Sequence, residues 1–184
     1  LFYYKSSESK FVETNYQLPA KPTGDEGAYG FMPYIDKDGV ECVLTWNTKT
    51  GTSKLFYYKS SEGKFVETNY QLPTKPTGDE GTFEFMPYID KDGFESILAW
   101  NSNTGTSKLF YYKSSESKFV ETNYQLPTKP TGDEGTFEFM PYIDKDGVEC
   151  VLTWNTKTGT SKLFYYKSSE GKFVETDYQL PEIE

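Results

Sequence analysis

The chain has no histidine and no arginine, only two cysteines among its 184 residues, and no long apolar run. Without histidine the usual general base and the imidazole metal ligand are missing. Ser-His-Asp and Cys-His arrangements cannot be assembled at all. All 19 cations are lysines, set against 28 carboxylates, for a net charge of −9. A phosphate backbone is held by a basic patch, and duplex readout leans on arginine, so nucleic acid is excluded as a partner. No segment approaches the roughly 18–20 apolar residues that span a bilayer, so membrane insertion is not expected.

What is present is aromatic. Tyr, Phe and Trp number 16, 14 and 3, although only 35% of residues are hydrophobic. A core can therefore be built from a few large side chains, each burying roughly 150–250 Å². Disordered chains lack this content.

The second feature is repetition. The stretch Leu55–Lys108 recurs almost unchanged from Leu1 and Leu109, and a fourth copy begins at Leu163. The domain reading is one repeat domain over 1–184, with repeats 1–54, 55–108 and 109–162 and a partial repeat 163–184. A period of this size marks one supersecondary unit stacked on copies of itself.

Within the unit, Leu55–Lys59 and Lys64–Thr68 read as strands joined by the four-residue turn Ser60–Gly63. A loop with two prolines and two glycines follows. Phe83–Ile89, broken by Pro87, reads as an edge strand or a bulge. Asp90–Gly93 is a tight turn, read as a type I′ hairpin, and Phe94–Trp100 is the remaining strand. No helical period appears anywhere, so the chain reads as 14 short strands.

Leu-Phe-Tyr-Tyr and Ser-Ile-Leu-Ala-Trp are apolar on both faces of their strands. Sheets covered on both sides have that pattern. The fold expected is all-β, a β-propeller built from four-stranded 54-residue repeats, with a β-trefoil as the alternative. The N-terminal strand pair then forms half a blade, an incomplete edge open to homo-oligomerisation. Ser9 and Ser117 alternate with Gly63 and Gly171, so a two-repeat unit underlies the array. Cys42 and Cys150 occupy equivalent positions two repeats apart. Since a disulfide needs Cα atoms within about 7 Å, both are expected as free, buried thiols.

The candidate site residues repeat as well. Trp46, Trp100 and Trp154 end a strand, each followed by asparagine (Asn47, Asn101, Asn155). An indole at a strand end can stack on a sugar ring while the amide bonds its hydroxyls; the same alternation also allows a core role. Asp25, Asp79 and Asp133 lie in the long loop and could accept further hydroxyls. Tyr16, Tyr70, Tyr124 and Tyr178 sit at the mouth of that loop. Three equal copies suit repeated binding better than catalysis in one asymmetric cleft, so no enzyme is expected. No cofactor is expected either, although Asp36/Asp38, Asp90/Asp92 and Asp144/Asp146 could begin a Ca²⁺ loop.

Near-identical blades, aromatic-rich strands, one Trp per blade and turns rich in Asn and Gly resemble the tandem-repeat β-propeller lectins of the tachylectin and tectonin type. The resemblance implies one sugar site per blade or blade junction. The function expected is a non-enzymatic, multivalent carbohydrate-binding protein with glycans or glycoconjugates as partners. The alternative is a structural or designed symmetric scaffold with no small-molecule ligand. The compartment is left open, with a lean to the secreted or extracellular side.

Overall fold

The computed structural model describes residues 1–16, 18, 27–70, 72–73, 81–124, 126–127, 129, 131–132 and 135–178. Fourteen strands form from them. β1 (Phe2–Lys5) and β2 (Lys10–Glu13) make an isolated hairpin. The first sheet is the meander β3 (Tyr29–Ile35), β4 (Glu41–Asn47), β5 (Ser53–Lys59) and β6 (Lys64–Glu67). The second is β7 (Phe83–Ile89), β8 (Glu95–Asn101), β9 (Ser107–Lys113) and β10 (Lys118–Glu121). The third is β11 (Phe137–Ile143), β12 (Glu149–Asn155), β13 (Ser161–Lys167) and β14 (Lys172–Glu175).

This is the propeller architecture and not a trefoil. Each repeat closes its own antiparallel sheet, and the first strands β3, β7 and β11 lie next to one another. Register is identical in all three sheets: Tyr34↔Cys42, Tyr88↔Ser96 and Tyr142↔Cys150 are the same pair. Pro33, Pro87 and Pro141 fall on edge strands, where their missing N–H costs no ladder bond. The N-terminal hairpin matches the outer half of a sheet.

The apolar runs explain the stacking. Cys42, Leu44 and Trp46 leave one face of β4 and meet Phe83, Phe85, Ile97 and Ala99 of the second sheet. Leu98 and Trp100 leave β8 in the same way and meet Phe137, Phe139 and Val151 of the third. Val43, on the other face of β4, packs with Phe56, Phe65 and Tyr16 under the hairpin. Each such side chain stabilises the fold by roughly 1.5–3 kcal/mol relative to exposure. A rail of tyrosines runs along the junctions: Tyr16 stacks on Tyr58, Tyr70 on Tyr112 and Tyr124 on Tyr166, at 4.1, 4.2 and 4.1 Å between ring centroids. Both cysteines are free and buried, and burial pushes the Cys42 thiol up to about 12.

One turn differs from expectation. In Asp36–Val40 the Gly39 N–H donates to Asp36 O and the Asp36 N–H to Val40 O. Within this turn only Gly39 has a positive φ, +81°. A type I′ turn needs two such residues. The connection is instead a type I turn followed by a left-handed glycine, and it recurs at Asp90–Phe94 and Asp144–Val148. The reason is the aspartate: Asp36 Oδ1 accepts the N–H groups of Asp38 and Val40, at 2.9 and 2.8 Å.

Candidate functional site

Each blade has two ends, and the Trp-Asn pairs sit at one of them. Trp46 and Trp100 are 5% and 4% exposed. Their rings lie 5.9 and 5.8 Å from Phe85 and Phe139 of the next sheet, and the Trp100 indole N–H donates to Phe137 O at 3.1 Å. Trp154, with no fourth sheet beside it among the described residues, is half-buried. Asn47, Asn101 and Asn155 are at most 1% exposed. Each amide oxygen receives the N–H groups two and three residues on, for Asn47 those of Lys49 and Thr50, both at 3.0 Å.

Glycine makes room for these amides. A Cβ at Gly27, Gly81 or Gly135 would come within 2.8, 2.3 or 2.4 Å of the asparagine Oδ1. The asparagines plug the turn that follows them. An Asn that starts an Asn-x-x-x-Gly turn at a strand end is the sequence sign of that role. Asp25, Asp79 and Asp133 lie outside the described residues.

At the opposite end of the strands, beside the Asp-Gly turns, there are clefts. One of about 340 Å³ is lined by Asp90, Asp92, Tyr111, Glu121, Tyr124 and Glu149, among others. Another, of about 610 Å³, is lined by Asp144, Asp146, Tyr165, Glu175, Asp177 and Tyr178, among others. Every lining position of the first recurs 54 residues on in the second, with the exception of Glu149. A third cleft of about 370 Å³, between the hairpin and the first sheet, contains the corresponding Tyr16 and Glu41. Of the residues singled out in the sequence, the Asp pairs and the loop-mouth tyrosines come together here; the Trp-Asn pairs do not.

The electrostatics of the cleft of about 340 Å³ come from one buried glutamate, Glu149, whose equivalent at the first junction is Glu95. Glu95 and Glu149 open the second strands of their sheets and reach under the Asp turn of the preceding sheet; they are 6% and 4% exposed. Burial raises both carboxyls, with Asp36 and Asp90 adding to the rise; Glu149 is pushed up to about 6. The Lys91 backbone N–H donates to Glu149, while Glu149 Oε2 has no hydrogen-bond partner among the described residues. Asp92 is paired with Lys91 at 2.6 Å, and Glu121 with Lys108 at 2.9 Å. Sequence reasoning missed Glu41, Glu95 and Glu149. Their signal was an invariant acid opening an otherwise apolar strand.

A second acidic pair lies on the inner strands. Burial raises Glu84 to about 7, Glu138 adds to the rise, and the Trp46 indole works the other way. The first sheet has Gly30 at this position, where a Cβ would come within 2.1 Å of the Trp46 ring. Among the described residues no group of three or more His, Cys, Asp or Glu side chains is arranged to hold a metal ion. Asp36, Asp90 and Asp144 each spend Oδ1 on two backbone N–H groups of their own turn.

No protein-family model matches the chain, and no curated protein matches it in sequence. Solved structures do. A fructan 1-exohydrolase IIa from Cichorium intybus superposes with a TM-score of 0.56 at 12% identity, over 86% of this chain and 34% of the exohydrolase. The chain thus spans about a third of that enzyme's length. A fucose lectin from Kordia zhangzhouensis, solved in complex with methyl-fucoside, matches with a TM-score of 0.46 at 15% identity, over 82% of this chain and 100% of the lectin. At 12% identity the likeness to the exohydrolase is one of fold.

Proposed function

We propose that the protein is a non-enzymatic, multivalent carbohydrate-binding protein whose sites are the clefts beside the Asp-Gly turns. The observation that carries this reading is the repetition of one cleft, 54 positions apart, with both tyrosines and three of the four carboxylates, Glu149 being the exception. Carboxylates accept hydroxyl groups in strong, charge-assisted hydrogen bonds. Tyrosine faces cover the C–H surface of a ring. A few convergent polar groups on an apolar wall are the make-up of a small-molecule site. Several weak sites on one body become effective together through avidity.

The binding groups in this reading are Asp92, Tyr111 and Tyr124 and their counterparts, while the Trp-Asn pairs hold the blades. No residue is assigned a catalytic role. The test is a glycan array followed by titration of any hit. Retention on a polyvalent glycan surface, weakened at least tenfold by Tyr111→Ala with Tyr165→Ala, is expected. Absence of binding to every glycan would overturn the proposal in favour of a scaffold. That alternative draws on the near-identity of the repeats, which packing alone would also allow.

A further inference from the structure

We propose that the cleft between the second and third sheets selects saccharides bearing a protonated amine, with Glu149 as its anchor. The inference rests on the carbohydrate-binding reading and names the ligand class within it.

The argument starts from an imbalance. Glu149 is 4% exposed, lines the cleft, and leaves Oε2 without a hydrogen-bond partner among the described residues. Its surroundings are acidic: Asp90 and Asp92 face it from the turn after β7. Among the described residues the cation acting on Glu149 is Lys91, which forms an ion pair with Asp92. Glu121, across the cleft, is already matched by Lys108.

A hydroxyl could donate to Oε2, but it would leave the buried charge uncompensated. An ammonium group brings three donors and the missing positive charge. A divalent metal finds no cluster of three ligating side chains among the described residues. Burial and the neighbouring acids already raise the Glu149 carboxyl. A cation reverses that rise, so binding expels a proton where Glu149 is partly protonated. Affinity for the amine therefore climbs as pH rises through about 6, until the amine itself loses its proton. The first junction repeats the arrangement, with Glu95 under Asp36, Lys37 and Asp38.

The test is calorimetric titration of the whole chain with glucosamine, N-acetylglucosamine and glucose at pH 5 and pH 7, with Ca²⁺ alone as a control. Glucosamine is expected to bind about tenfold tighter than the neutral sugars at pH 7, the factor one hydrogen bond to a charged group supplies. The preference should shrink at pH 5. Glu149→Gln should erase most of it. Asp92→Asn, in an exposed turn, should reduce it two- to threefold and guards against a folding defect in the first variant. Neutral sugars binding as well as glucosamine would overturn the inference and leave the lectin reading standing. So would a preference that survives Glu149→Gln, or Ca²⁺ displacing the amine. Binding of no sugar at all would end both.

Discussion

The indole of Trp46 and the ring of Phe85 meet 5.9 Å apart across the first junction, and Trp100 meets Phe139 at 5.8 Å across the second. The residue that looked most like a ligand platform is the one that joins neighbouring sheets. Replacing it removes a large buried side chain and leaves a cavity. Trp100→Ala is therefore expected to cost about 3–5 kcal/mol in a urea melt. Trp154→Ala, at a half-buried position, should cost well under half of that. Equal losses at the two positions would contradict this account of the junctions.

Ser9 and Ser117 hold φ of 49° and 50°, in the left-handed region that Gly63 and Gly171 occupy in the alternate repeats. A Cβ makes that conformation costly, by about 1–2 kcal/mol. Glycine at those positions meets open space. Ser117→Gly should raise stability by up to about 1 kcal/mol, and Gly171→Ser should lower it by a similar amount. Paired thermal melts decide the matter, and a stabilising Gly171→Ser would refute it.

Glu84 and Glu149, raised to about 7 and about 6, bind protons more tightly folded than unfolded. Their contribution is complete below the unfolded carboxyl range and is lost as pH rises through the folded values. Stability should fall between about pH 4 and 7 on their account. Glu84→Gln should remove its share of the slope and stabilise the protein at pH 8 by about 1–2 kcal/mol, a figure reduced for partial exposure. Glu116 and Glu170 act with the opposite sign. Lysines hold both near 2, so their contribution persists until strong acid. A melting temperature flat from pH 4 to 8 would contradict the raised pair.

Among the described residues the third and first sheets each leave apolar side chains exposed. Met140, Tyr142 and Tyr178 are 43%, 37% and 75% exposed at one end, while Phe31 and Ile35 are 44% and 64% exposed at the other. Met140, Tyr142 and Tyr178 repeat the Met32, Tyr34, Tyr70 and Met86, Tyr88, Tyr124 sets of the two internal junctions, and Phe31 repeats Phe85 and Phe139, which lie in those junctions. The 184-residue chain is expected to associate end to end at high concentration. Tyr178→Lys with Trp154→Lys should abolish this in sedimentation velocity. A chain that stays monomeric at every concentration would show these faces to be inert.

Much of the fold was legible in the order of residues. The apolar runs on both strand faces, the Asp-Gly punctuation and Pro87 at an edge all follow from local chemistry. So does the pairing of the first 13 residues as a half sheet. The site was legible only in part, because it is made between repeats. Glu149 meets Asp90 only when the third sheet lies against the second, and no local pattern reports that meeting. The Trp-Asn pair stayed open to a core and a ligand reading for the same reason: strand alternation shows which side an indole leaves from, not what waits there. The turn type was missed because Asp-Gly favours I′ until the aspartate carboxylate captures two backbone N–H groups.

Identical register in the three sheets means that each strand position faces the equivalent position in every repeat, with a few residue changes such as Gly30 for Glu84 and Ser96 for Cys42. A deletion or duplication of one 54-residue unit would leave every remaining junction chemically complete. Such a molecule can be shortened or extended in whole steps, so the number of clefts it presents is a matter of length, adjustable without redesigning any of them.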